Sequence, residues 1–358
     1  MEVRALVLSG GGAKGAFTAG VVKYLLRDRG MSFDLAVGTS TGSLIGGPAL
    51  LGDYNYLGNV YTGVRNRDIY KNSVLGWLLN RLGLLSGPFQ ADLSPLHQML
   101  KEYYLTRGKL DQLLASGKTL VVTTVNVRTG KLHYCSSEAV KTGEIAPETF
   151  VRAILGSSVQ PVFTRPVCMY ETESQSPYRS DLFYDGGVRE FIPLEEAVLQ
   201  GATEIWAVST HPLREEETGW GKGTPPKKVN PLKALGWTLK MLVDEVARGD
   251  RFRADLYLRW AKAREIIREK ARHLGVPEER LGELLELPPE ADPAGLTLPR
   301  LYLIYPYYKM GASLEFDPVE MFDYFVNGQL AAERFFELGA PPYTDQTLRP
   351  WLTREENP

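Results

Sequence analysis

Five short runs in this 358-residue chain are apolar without alternating: RALVLSG from Arg4, FDLAVGTS from Phe33, TLVVTTVNV from Thr119, EIWAVST from Glu204 and RLYLIYP from Arg300. A strand with one wet face alternates apolar and polar residues, so strands that are apolar throughout are buried on both faces. Helical patterns lie between them. AFTAGVVKYLLRDRG is apolar at Phe17, Val21, Tyr24 and Leu25 and closes on Gly30, and PVEMFDYFVNGQLAAERFFEL from Pro318 repeats the pattern. This alternation predicts an α/β fold, with helices covering both faces of a mostly parallel central sheet.

With 44% hydrophobic residues the chain can bury a sizeable core. Its net charge of -2 argues against a polyanion-binding protein, so nucleic acid is not an expected partner. Cys135 and Cys168 are too few for a disulfide framework and lack the paired spacing of a zinc site, which suits a reducing cytoplasm. The chain opens on a strand-like run rather than a secretory leader and holds no apolar run of about 18 residues. The expectation is a cytoplasmic protein, neither secreted nor membrane-spanning. Stretches rich in proline and charge, from His211 and from Gly275, flank a long helical pattern over Pro231–His273. A helical insert at about 231–298 is therefore expected within a domain of residues 1–335, followed by a loosely held tail, 336–358.

The first strand runs into Gly10, Gly11, Gly12 and Gly15, close to a helix start. Backbone N–H groups and the positive end of the helix dipole then converge on one spot, which attracts an anion. Three readings compete for it. A P-loop needs Gly-Lys-Ser/Thr, and here Lys14-Gly15 is followed by Ala16. Gly10-Gly12-Gly15 matches the dinucleotide pattern G-x-G-x-x-G, but the acidic residue expected about twenty positions on would be Asp34, which begins the next strand. The third reading, an oxyanion hole, requires a nucleophile. Gly38-Thr39-Ser40-Thr41-Gly42 supplies one: it is G-x-S-x-G between an apolar strand and the helix-like SLIGGPALL.

A serine nucleophile needs a base. His211, following EIWAVST, would complete a Ser40, Asp185, His211 order. Asp185 is the other candidate, standing at a tight turn with Gly186 and Gly187 behind it. Spacing alone does not choose between them.

Taken together, Gly10-Gly11-Gly12-Ala13-Lys14-Gly15, Gly38-Thr39-Ser40-Thr41-Gly42 and Asp185-Gly186-Gly187 resemble the three motifs of patatin-like phospholipases, and ILGSSVQPVF from Ile154 and LEFDPVEMFDYFVNGQLAA from Leu314 resemble further stretches of that family. The resemblance covers about residues 3 to 335. It implies a three-layer α/β/α fold and a serine–aspartate dyad without histidine, in which Ser40 attacks the ester, Asp185 activates first the serine and later the hydrolytic water, and N–H groups around Gly11 and Gly12 stabilise the oxyanion. Lys14 fills the family's usual basic position, supporting the glycine loop. Where family members often carry asparagine shortly before the proline that follows the aspartate motif, this chain has Phe191, two residues before Pro193. The implied substrate is a lipid or other acyl ester, and the implied activity is that of a phospholipase A or lysophospholipase. The alternatives are a silent lipid-binding or regulatory protein of the same fold and a Ser-Asp-His esterase using His211. No cofactor is expected, nor a metal, since no His, Cys and carboxylate cluster has ligand spacing. An aspartate base is expected to hold activity to lower pH than a histidine base, which protonates near pH 6.5.

Two segments bear on peripheral membrane contact. VLGWLLNRLGLLSGPF from Val74 is apolar with little charge and reads either as an interfacial segment or as a core helix. From Arg248 to Arg272 nine Lys/Arg face four Asp/Glu, with Phe252, Leu256, Trp260, Ala263 and Ile267 as an apolar stripe; this reads either as a helix near anionic headgroups or as a core helix with a solvated face. The sequence leaves the oligomeric state open.

Overall fold

The computed structural model describes residues 2–82, 88–212, 231–277, 299–308, 310–340 and 342. The five apolar runs become five neighbouring parallel strands, in the order β3 (Thr119–Asn126), β2 (Leu35–Thr39), β1 (Arg4–Leu8), β7 (Glu204–Val208) and β8 (Arg300–Ile304). Three further strands extend the sheet through antiparallel pairings: β4 (Leu132–Ser136) and β6 (Leu182–Asp185) pair with β3, and β5 (Val167–Cys168) pairs with β6. None of these three strands is among the five apolar runs of the sequence. These strands are half-buried or short, so they carry no long apolar run.

Successive residues of the central strands go to opposite faces, and both faces are packed. Leu6, Leu8, Ala36, Leu120, Val122 and Trp206 join one core with α1 (Gly15–Lys23), α2 (Thr41–Leu50), α3 (Tyr54–Gly63) and the late helix Pro318–Glu337. Ala5, Val7, Val37, Val121, Ile205 and Leu303 join the other, with Leu194 and Ala197 from the helix Leu194–Leu199 and Ala247 from the long helix Pro231–His273. The result is the expected three-layer arrangement. On the first face α1 crosses the late helix with backbones in contact: a Cβ at Gly20 would strike the carbonyl of Phe325, and one at Gly328 that of Phe17.

The ladder on β3 has a consequence for function. Thr123 pairs with Thr39 of β2 and Tyr134 of β4, while Thr124 pairs with Asp185 of β6 and His133 of β4. Strand β4 therefore takes one edge of β3, and β2 and β6 share the other. Running in opposite directions, they meet there end to end, with Thr39 and Asp185 on consecutive rungs.

Two peripheral helices bear on the questions left open by the sequence. The helix Val74–Arg81 is not in the core: Val74 is 85% exposed, and Leu75, Trp77, Leu78 and Leu82 are exposed with it. The remainder of that apolar segment, 83–87, lies outside the described residues. In the long helix Ala247 and Asp250 are buried whereas Phe252 and Ile267 are exposed, and the side chains of Leu256 and Trp260 lie outside the described set. The expected insert runs on to 298, of which 278–298 is outside the described residues, as are 341 and 343–358 of the expected tail. Among the described residues no helix is long and apolar enough to cross a membrane.

The boundary expected at 335 falls inside a helix. The late helix ends at Glu337, and the Phe336 ring stacks on Trp206 with centroids 5.6 Å apart and planes 17° apart, Trp206 itself stacking on Tyr302 at 4.4 Å. Phe336 thus belongs to the folded body. Phe336→Ala is predicted to lower stability by about 2–3 kcal/mol in urea unfolding. A loss under about 0.5 kcal/mol, the range of an ordinary surface change, would return the boundary to 335.

Candidate active site

Ser40 sits where β2 gives way to α2, with φ 54° and ψ -125°. A non-glycine residue held there costs on the order of 1–3 kcal/mol and persists only when its surroundings over-determine it. Here they do. The Ser40 N–H donates to Ser157 Oγ at 2.8 Å, and its carbonyl accepts from the Ser43 N–H at 2.9 Å and the Ser43 hydroxyl at 2.6 Å. Gly38 and Gly42 let the elbow close, since a Cβ on Gly42 would strike the Leu8 carbonyl and one on Gly38 the backbone of Gly42. Ser40 is 4% exposed at the N-terminus of α2, whose dipole favours negative charge at that point.

Asp185 arrives from the opposite direction at the end of β6. Its N–H donates to the Val159 carbonyl at 2.8 Å and its Oδ1 accepts the Gly187 N–H at 2.7 Å. Gly186 fits against Thr123 where no Cβ could. The Ser40 hydroxyl acts on the nearby Asp185 carboxyl as a donor that favours its charged form. Burial pushes the Asp185 carboxyl up to about 7, against the opposing pull of the hydrogen bonds from Ser40 and Gly187. A carboxyl raised this far no longer predicts activity at lower pH than a histidine base would give, so a pH profile alone does not separate the two bases.

The glycine loop lies beside Ser40 and divides its donors. The Gly10 N–H is held by the Phe191 carbonyl at 3.1 Å, the Lys14 N–H by Gly11 at 3.2 Å, and the Gly15 N–H by the Gly12 carbonyl. Gly10, Lys14 and Gly15, which belong to the expected oxyanion-hole loop with Gly11 and Gly12, thus spend their N–H groups on shaping it. No hydrogen bond to the N–H of Gly11 or Gly12 is found among the described residues. Gly12, at φ 58°, packs so closely on the Ser313 carbonyl that no side chain fits, and that carbonyl also holds the Ala13 N–H at 2.8 Å. Thr210 braces the loop from below, its hydroxyl donating to the Gly10 carbonyl at 2.5 Å.

His211 is engaged elsewhere. Its Nε2 lies 3.0 Å from Asp244 Oδ1 of the long helix, and its ring meets Phe191 edge-on with centroids 4.6 Å apart. Phe191 stands at the junction of these parts, its ring against Gly10 and Gly187 and its N–H on Asp250. Sequence reasoning missed Ser157, Thr210, Asp250 and Ser313. Ser157 lies inside the noted ILGSSVQPVF and Thr210 ends a recognised strand, whereas Asp250 and Ser313 carry no local signal.

A cleft includes Ser40 and Gly12 in its wall and is otherwise mainly apolar, with Leu44, Val60, Leu96 and Leu100 from α2, α3 and the helix Ser94–Lys101. Among the described residues no group of three or more His, Cys, Asp or Glu side chains could hold a metal ion.

The family model described as patatin-like phospholipase matches residues 6–198, more than half of the chain. Among solved structures the chain is similar to VipD from Legionella pneumophila, at 15% identity and a TM-score of 0.47, covering 96% of this chain and 68% of that one. Comparison with curated proteins finds no match.

The raised Asp185 carboxyl also governs stability. Between its ordinary 3.8 and about 7 the folded protein holds a proton that the unfolded chain has released, so this group's contribution is full below about 4 and is lost as pH rises through 7. Asp185→Asn lacks this loss. From about pH 4 to pH 8 the stability difference is predicted to move in the variant's favour by up to about 4 kcal/mol. A difference that stays flat across that range in parallel urea titrations would contradict the assignment.

Proposed function

The chain belongs to the patatin-like phospholipase family, and from that premise we propose that it hydrolyses carboxylic esters of lipids with Ser40 as nucleophile and Asp185 as base. The observation that carries this reading is the convergence of the strained, buried Ser40 on the equally buried Asp185, whose carboxyl feels the serine hydroxyl as a donor. Asp185 takes the serine proton as Oγ attacks the ester carbonyl, and the oxyanion that forms is received by the N–H groups of Gly11 and Gly12. Collapse breaks the bond to the alcohol, which leaves with the proton from Asp185. Water then gives a proton to Asp185 and attacks the acyl-enzyme, and the fatty acid is released as Ser40 recovers its proton. A pKa near 7 suits a group that must accept and return a proton in one cycle.

The apolar cleft beside Ser40 supports an acyl chain as the bound part of the substrate. Peripheral contact with a lipid surface is part of the reading. The exposed helix Val74–Arg81 supports it: its flanking residues Tyr70 and Pro88 line that cleft, and residues 69–91 carry Lys71 and Arg81 but no carboxylate. Two observations weigh against the alternatives. His211 has its Nε2 on Asp244 rather than on Ser40, and a silent protein would have no need of a strained serine paired with a buried acid.

Asp185→Asn is predicted to lower kcat by roughly 10³ or more, as loss of one member of a unit does, while His211→Ala stays within a few-fold. Equal damage from both substitutions, in folded protein, would contradict the dyad. Each methylene buried contributes about 0.8 kcal/mol, so kcat/KM for p-nitrophenyl esters is predicted to rise roughly fourfold per carbon from acetate through octanoate. A series that is flat or falling would exclude the cleft as the acyl site.

A further inference from the structure

The long helix Pro231–His273 lies outside the stretch matched to the family, yet it reaches the candidate site through one side chain. Asp250 is 4% exposed, and its Oδ2 accepts the N–H groups of Phe191 at 2.6 Å and Ile192 at 3.0 Å, while Oδ1 is paired with Arg253. Phe191 and Ile192 are themselves buried, and both N–H groups find their acceptor in this carboxylate.

The same residue 191 touches both halves of the chemistry. Its carbonyl accepts the Gly10 N–H at 3.1 Å, which anchors the loop that carries Gly11 and Gly12. On the other side, the N–H groups of Arg189 and Glu190 close back on the Gly186 carbonyl at 2.9 and 2.8 Å, joining residue 191 to the turn that follows Asp185. The Phe191 ring packs on Gly10 and Gly187, one from each half. Where the family often places asparagine, this chain thus has a phenylalanine whose backbone is fixed from outside.

We propose that Asp250 is a positioning residue: by fixing the backbone at Phe191 it sets the distance between the Gly11–Gly12 donors and the Ser40–Asp185 pair. This rests on the serine–aspartate reading of the site. It predicts a loss of transition-state stabilisation without a loss of substrate binding, because the donors meet charge that develops only after attack.

Because both loop N–H groups share a single oxygen, asparagine can satisfy them with its carbonyl while giving up only the Arg253 pair. Alanine removes the acceptor. Glutamate keeps the charge but displaces the acceptor by about one bond length, ~1.5 Å. With p-nitrophenyl butyrate, kcat is expected to fall by about 10- to 100-fold in Asp250→Ala and Asp250→Glu, with KM within about twofold of wild type, and to return to within about threefold of wild type in Asp250→Asn. A purely structural role would lower the melting temperature and leave kcat of the folded fraction intact. If Asp250→Ala does not fold, the contrast between Asp250→Asn and Asp250→Glu carries the test. Wild-type activity with unchanged kcat in Asp250→Glu, or a loss in Asp250→Asn as large as in Asp250→Glu, overturns the positioning role. An inactive wild type overturns the underlying reading instead.

Discussion

Strands β2 and β6 occupy one edge of β3 in opposite directions, and the rest of the site depends on that head-to-head meeting. Thr39 pairs with Thr123 and Asp185 with Thr124, so Ser40, the residue after Thr39, emerges beside a carboxylate almost 150 positions away in sequence. A fully parallel sheet would carry the two strand ends along separate edges. The antiparallel β6 brings the acid to the serine without any long loop, and backbone ladders fix the distance more firmly than side-chain contacts do.

What surrounds this meeting restrains two unfavourable states. Ser40 is held in a backbone conformation that side chains rarely adopt, and Asp185 is kept from water in a place that disfavours its charge. Ser157, Ser43 and Val159 hold the first two backbones, and Gly187 gives the carboxylate one of its few donors. Strain and desolvation of this kind lower stability in exchange for reactivity. The glycine loop follows the same economy: the N–H groups of Gly10, Lys14 and Gly15 go to backbone carbonyls, whereas among the described residues no acceptor is found for those of Gly11 and Gly12.

Much of this was legible in the sequence where a physical rule acts locally. Uniformly apolar runs reported strands buried on both faces, and all five took their places in the parallel core. Gly38 and Gly42 around Ser40 reported an elbow because only glycine allows strand and helix so close together. The rest was hidden for equally definite reasons. Strands β4 and β5 pair at a partly exposed edge and need no apolar run. The exposure of Trp77 depends on what does not cover it, which an apolar segment cannot reveal. Asp250 acts on backbone N–H groups about sixty positions earlier, and any residue types can supply those groups. The shift of Asp185 to about 7 comes from the number of atoms packed around it, a quantity that no motif records.

The central claim, that Ser40 is a reactive nucleophile set by this fold, is tested most directly by a fluorophosphonate probe followed by peptide mass mapping. The account predicts a single stoichiometric adduct on the peptide containing Ser40, absent from Ser40→Ala protein of unchanged fold. An unlabelled wild type, or an adduct on a different residue that persists in Ser40→Ala, would contradict it.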